Sequence, residues 1–210
     1  MAKVSVGLAV SLDGFIAGPH DGPGTPLGEG GQALFEHYGT GDTQPRRFPG
    51  LRMDKASAEF FDRETADVRA VVTGRRTYDI SQGWGGDSPV PGTPLFILTS
   101  RPPADPPRTE VPHVFVTDGI GSAIAQAREA AGDGTVSLAG SSPVQQALRA
   151  GLLDELFVSV VPVLLGGGVS LFGSLGTHVR LERTAVVDAP GVTHLGYRVT
   201  TGAGGDRRAR

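Results

Sequence analysis

A chain of 210 residues, 39% hydrophobic and 20% charged, is long enough to bury the core of one domain. Its net charge of −3 gives no global attraction to nucleic acid or to an anionic membrane, so any phosphate recognition has to be local. The absence of cysteine excludes disulfides, thiolate metal sites and cysteine nucleophiles together.

The opening run, MAKVSVGLAVSLDGF, reads as a strand over Lys3–Val10 rather than as a secretory segment. No stretch reaches the roughly 18 apolar residues of a membrane span, and a cytoplasmic protein is expected. Residues 18–50 are dense in glycine and proline, from GPHDGPGTPLGEGG to GTGDTQPRRFPG. That is too long for an ordinary connection, so the segment is either a functional loop or partly disordered. Beyond it the spacing predicts helices over Asp54–Asp67, Arg75–Ser81, Gly119–Ala131 and Pro143–Ala150. Further strands are expected at Ala70–Thr73, Leu95–Thr99, His113–Val116, Thr135–Ala139 and Leu156–Leu164, then at Val179–Asp188 and Val192–Thr200. Asp118 is the expected cap of the third helix. In the fourth, Ser142, Pro143 and Gln145 suggest a capping box, and Gly151 a stop. Apolar β-rich runs alternating with helices argue for a parallel sheet with helices on both faces. The last two strands, joined by APG, read as an antiparallel hairpin. One domain is expected over 1–201, with TGAGGDRRAR leaving a solvated tail at 202–210.

Open α/β sheets bind ligands beyond the carboxyl ends of their strands, so what each strand ends with matters. The ends read SLDGFIAG, TGRRTYD, TSRPP, AGSSPV and LLGGGVSLFG. Glycine lets backbone approach a ligand, helix-start amides accept anions, and arginine offers a forked donor to phosphate. Arg75 and Arg76 stand where cations oppose the helix dipole unless an anion lies between them. The alternative is solvated surface. Ser100–Arg101 and Gly140–Ser142 shift the balance, because three anion-friendly ends suit a dinucleotide. Other motifs fail. There is no GxxxxGK[ST] or GxSxG, the histidines show no metal spacing, and GEGGQA at 28–33 follows a loop rather than a strand. No aromatic and basic surface of the kind single-strand binders use is present.

The ordered set VSVGLAVSLDGFIAG, VVTGRRTYD, FILTSRP, VSLAGSSPVQQALRAGLLDEL and VVPVLLGGGVSLF resembles the dihydrofolate-reductase-like family. That family includes the C-terminal reductase domain of the bifunctional riboflavin-biosynthesis deaminase/reductase. The resemblance implies a three-layer α/β sandwich, a mostly parallel sheet of about eight strands with an antiparallel C-terminal edge, and NADPH as hydride donor. It places Gly74, Arg75, Arg76 and Thr77 in a phosphate-binding turn. Arg75 with Ser100 and Arg101 would embrace the adenosine 2′-phosphate, and Gly140, Ser141, Ser142 and Val144 would hold the pyrophosphate. Ala9, Asp13 and Ile16 match the segment beside the nicotinamide. Gly166, Gly167 and Gly168 match a turn bordering the substrate cavity.

Departures from the pattern bear on the substrate. The riboflavin-pathway domains carry lysine after SLDG, where this chain has Phe15. Glu36 is a counterpart of the folate enzymes' helix carboxylate, or simply part of an amphipathic surface helix. Asp13 is a local turn cap or a substrate contact, and Arg46 and Arg47 are solvated or are replacement cations. If the loop folds over the nicotinamide, Phe35, His37 and Tyr38 make the pocket aromatic. Two function classes follow. One is an NADPH-dependent reductase of a small, unphosphorylated heterocyclic or aromatic substrate, with the riboflavin-pathway pyrimidine phosphate as the alternative substrate. The other is a non-catalytic nucleotide-binding or sensing protein. A homodimer is expected from the resemblance and from the long apolar run ELFVSVVPVLL.

Overall fold

In the first strand, β1 (Lys3–Ser11), alternate residues go to opposite faces. Val4, Val6 and Val10 enter one core, while Ala9 enters another on the other side. The computed structural model describes residues 2–173 and 175–201, and the expected tail at 202–210 lies outside them. After β1 come β2 (Phe15–Ala17), α1 (Lys55–Thr65), β3 (Val68–Gly74), α2 (Arg75–Ile80), β4 (Leu95–Leu98) and β5 (His113–Val116). Then follow α3 (Ile120–Ala131), β6 (Thr135–Ala139), α4 (Ser141–Ala150), β7 (Glu155–Val161), β8 (Val169–Ser170), β9 (Arg180–Ala189) and β10 (Val192–Thr201).

The main sheet has eight strands in the order β5-β4-β3-β6-β1-β7-β10-β9. The first six run parallel; β10 is antiparallel to β7 and to β9. α3 and α4 cover one face through Ala123, Ile124, Ala127, Val144, Ala147 and Leu148. On the other face Phe60 of α1 stacks on His194 at 4.7 Å, and Tyr78 of α2 packs with Val71, Leu95 and Ile97. The three-layer α/β sandwich and its antiparallel edge therefore form as expected. β2 and β8 add a two-stranded sheet that was not expected, since runs of three and two residues carry no periodicity.

Helix starts differ from the expectation in instructive ways. Asp54 caps α1 by accepting from the Ala56 amide at 2.8 Å. Asp118 does not cap α3; Gly119 takes that place with φ 97°. α4 starts at Ser141, after Gly140, so Ser142 lies inside the first turn and no capping box forms. Gln145 instead donates from Nε2 to the Ser170 and Leu171 carbonyls. The long loop is folded, with a 3-10 helix over Gly31–Gly39 that buries Leu34 and His37. Of the apolar run at 155–165, Glu155–Val161 form β7 between β1 and β10, while Leu164 beyond it is exposed. The strand part of that run therefore does not itself call for a second copy of the chain.

Under α1, His194 is 3% exposed and hydrogen-bonds through Nδ1 to Ser159 Oγ at 2.8 Å and through Nε2 to Ser57 Oγ at 2.9 Å. Burial, assisted by His37 and opposed by Asp54, lowers its pKa to about 4. The unfolded chain then binds the proton more readily than the native one. Stability is complete above about pH 6.5 and falls as pH drops from there towards about 4, by up to about 3 kcal/mol. Urea unfolding across this range should show that loss in the native protein and a smaller one in His194→Gln.

Candidate active site

Three strand ends converge because β4, β3 and β6 are neighbours in the sheet. Thr73 Oγ1 donates to the Ala139 carbonyl at 3.2 Å, tying the ends of β3 and β6 together. Gly140 has φ +85°, and a Cβ there would collide with Thr77 Oγ1, so a side chain is excluded on both counts. Gly74 lies against Pro143, with a built Cβ 3.5 Å from its ring. Arg75 Nη1 donates to the Arg101 carbonyl at 2.6 Å, which joins the β3 turn to the end of β4. Gly74, Arg75, Arg76, Thr77, Ser100, Arg101, Gly140, Ser141, Ser142 and Val144 thus fall on three adjacent strand ends. Ser100, Arg101 and Ser142 are exposed there, while Val144 is buried in the core behind α4.

The electrostatics differ from the sequence reading. α2 has only six residues, so its dipole contributes little. The protein supplies its own anions to the adjacent arginines. Arg75 Nε is shared by the two Asp79 oxygens at 2.8 and 2.9 Å. Arg76 Nη2 donates to Asp21 Oδ1 at 2.7 Å and to the Asp21 carbonyl at 2.8 Å, which raises the Arg76 pKa. Asp79 was readable from its i, i+4 spacing to Arg75. Asp21, 55 residues away in a loop, carried no local signal. The exposed Arg101 guanidinium has no partner among the described residues. The start of α4 also has no side-chain cap, which leaves first-turn amides for an anion.

The second half of the site lies at the ends of β1 and β7. Ala9 is paired with Ser159 of β7 and packs with Leu34 of the 3-10 helix, Val161 and Val192. Asp13 is more than a local turn cap. Its Oδ1 accepts from Ser11 Oγ at 2.6 Å and from the Leu165 amide at 3.1 Å, and Oδ2 accepts from the Gly166 amide at 2.7 Å. The Ser11 bond first, with burial opposing it and the Gly166 and Leu165 amides adding to it, holds the Asp13 pKa below the ordinary carboxylate value. Asp13 therefore ties the SLDG turn to the Gly166–Gly168 turn. At Gly168, φ +119°, a Cβ would collide with the Ala17 carbonyl. Phe15 is half-buried and pairs with Ser170, and Ile16 packs against the main core.

Glu36 is exposed on the 3-10 helix, as an amphipathic surface residue would be. His37, on the same element, is 4% exposed, and neither ring nitrogen has a hydrogen-bond partner among the described residues. Burial lowers its pKa; the Leu34 carbonyl lies near enough to favour the charged ring, but outside bonding geometry. Arg46 and Arg47 sit at the opposite end of the sheet. Arg47 caps the Thr65, Val68 and Pro91 carbonyls, and Arg46 pairs with Asp62 at 3.1 Å. Two clefts also open at that amino-terminal edge, around Lys3 and Glu155, away from the strand ends described above.

The RibD C-terminal domain model matches residues 2–195. YwjB, an uncharacterized Bacillus subtilis protein, is 28% identical over 181 residues, 86% of this chain and 88% of that protein. A proposed riboflavin biosynthesis protein from Shewanella sp. PV-4 is 26% identical, with a TM-score of 0.69 over 96% of this chain and 100% of that one. Enterococcus faecalis dihydrofolate reductase, at 17% identity and a TM-score of 0.54 over 95% and 97% of the two chains, shares the fold. With a match spanning nearly the whole chain, this chain belongs to the RibD C-terminal domain family.

Proposed function

We propose that this protein is an NADPH-dependent reductase that hydrogenates a small, planar, unphosphorylated heterocycle or aromatic ring. The observation that carries the proposal is the convergence of three anion-suited strand ends beside Ala9 on the next strand but one from β3. The fit is physical: the Gly140 backbone approach and the uncapped start of α4 form a cradle, and the Arg101 guanidinium has no partner among the described residues. When bound, NADPH would supply a hydride. The residues that would hold it are Gly74–Thr77, Ser100 and Arg101 at the 2′-phosphate side, and Gly140, Ser141 and Ser142 at the pyrophosphate; Val144, fully buried, would anchor α4 from the core rather than touch the ligand. Ala9 and Ile16 would flank the nicotinamide. Asp13, by fixing Gly166–Gly168 against β1, would shape the substrate wall, with Phe15 beside it. Leu34 and His37 would exclude water from above.

The unphosphorylated substrate follows from charge. Phe15 stands where the pathway domains have lysine, and Arg46 and Arg47 are engaged at the far edge of the sheet. A second reading, a riboflavin-pathway pyrimidine phosphate, is favoured by the family itself and by the Shewanella relative. We also propose a homodimer. Exposed Leu164, Leu181 and Val186, two of them on the edge strand β9, support it alongside the family resemblance. A monomer mass in light scattering at micromolar concentration would refute it.

Charge-assisted hydrogen bonds contribute roughly 1.5–3 kcal/mol each, so two arginines on a 2′-phosphate favour NADPH over NADH by about a hundredfold or more. Arg75→Ala and Arg101→Ala should each weaken NADPH far more than NADH in fluorescence titrations; equal losses would remove these residues from the 2′-phosphate. For the substrate, turnover should be seen with unphosphorylated ring compounds such as oxidised pterins, and should be poor with the phosphorylated riboflavin precursor. Efficient reduction of that precursor, lost in Arg46→Ala/Arg47→Ala, would reverse the assignment. NADPH binding without turnover across pterins, flavins and quinones would favour a sensor.

A further inference from the structure

Asp21 stands out because it is an acid of the loop held at the turn proposed for phosphate. Its side chain is 13% exposed, while that of Arg76 is 66% exposed, so the carboxylate lies beneath an arginine that still faces solvent. Both contacts, to the carbonyl and to the carboxylate of Asp21, fall on Arg76 Nη2. Asp21 belongs to a small closed unit. The Gly18 amide donates to the Leu27 carbonyl at 2.8 Å, that of Glu29 to the Pro19 carbonyl at 2.8 Å, and that of Gly22 to the Thr25 carbonyl at 3.0 Å. His20, next to Asp21, is held at φ 58°, which is uncommon for a residue with a side chain. The unit rests directly on the substrate end: Pro19 lies against Gly167, Gly18 against Gly168, and Gly31, the first residue of the 3-10 helix over Ala9, against Gly18.

We propose that Asp21 is a built-in anion at the phosphate turn. It leaves Arg76 when a cofactor phosphate takes its place, so that cofactor binding loosens the loop over the substrate end. This rests on the cofactor reading above. A phosphate arriving at Arg76 meets a carboxylate already bound there, and like charges on one guanidinium repel at contact distance. Exchange removes that repulsion and frees the strained turn at His20. Asp21 is then a positioning residue. It touches neither hydride donor nor acceptor, but it favours binding of cofactor before substrate.

The test compares the native protein with Asp21→Asn and Asp21→Glu. NADPH affinity is read by fluorescence, and hydrogen exchange is read at the amides of Gly18, Gly22 and Glu29. A second probe, 2′-phospho-ADP-ribose, carries the phosphates without a nicotinamide. Asp21→Asn should bind both ligands about two- to fivefold more tightly, the scale of one partly exposed ion pair, and Asp21→Glu should stay near native affinity. Both ligands should speed exchange at the three amides in the native protein, and the free Asn variant should already exchange fast. Unchanged or weaker binding by Asp21→Asn, or slower loop exchange on adding NADPH, would show that Asp21 is only a tether and overturn the inference. Failure of the native protein to bind NADPH would instead overturn the cofactor reading, and the inference with it.

Discussion

Backbone meets side chain at the carboxyl ends of β3 and β6 more closely than any residue but glycine permits. Gly140 at φ +85° brings the start of α4 against Thr77, and the Thr73–Ala139 hydrogen bond fixes the strands just behind. The rest of the upper surface depends on that contact. It sets where α4 begins, and so which amides are left uncapped. It also sets how far the β3 turn stands from the end of β4, where Arg75 reaches the Arg101 carbonyl. The price of such closeness is local backbone strain, which a rigid sheet on one side and a buried helix on the other can hold.

Much of this was legible because it is local. A run such as AVVTG followed by RRTYD places a strand, its end and the residues of its turn within ten positions, and β3 and α2 lie where that stretch implies. The same holds for the strand ending at Ala139. The capping box before α4 misled because a serine–proline–glutamine pattern looks the same whether the helix begins at Ser141 or Pro143. The positive φ of Gly140, set by packing against Thr77, decides it. The Asp13 bonds span 152 and 153 positions, and the Asp21 pair spans 55; no spacing rule reaches them. The loop was ambiguous for a related reason. Its composition is that of a linker, and the side chains that pin it, Asp21, Leu34, His37 and Arg47 among them, are scattered between many glycines and prolines and find partners far along the chain.

The arginines show how sequence chemistry can be right in kind and wrong in detail. Two cations at the start of a helix do need anions. The chain provides both, Asp79 one turn on and Asp21 from the loop, so the pair by itself does not require a ligand. What suits a ligand is the asymmetry that remains: Arg101 has no partner for its guanidinium among the described residues, and the Arg76 side chain is still two-thirds exposed. A site whose cations are already balanced binds phosphate by exchange rather than by filling a charge deficit. The net gain per contact is then smaller than the gross attraction between arginine and phosphate.

The ends of β1 and β7, proposed above to face the substrate, show a different pattern of charge. Asp13 there is committed to the Ser11 hydroxyl and to two backbone amides, and its lowered pKa keeps it ionised in that role. The nearby basic candidates of the loop, Arg46 and Arg47, are drawn to the opposite end of the sheet. There the carbonyls of Thr65 and Val68, at the end of α1 and the start of β3, accept from Arg47, and Asp62 holds Arg46. Moving Arg47 to the strand ends would leave those carbonyls without their guanidinium donor, a cost comparable to the phosphate contact it would gain. Phe15, Leu34 and the neutral His37 therefore set the character of this end. That is the physical ground of the proposed preference: a flat ring can exchange its hydration for such surroundings, whereas a phosphate ester would lose strong water contacts that Phe15, Leu34 and His37 do not replace.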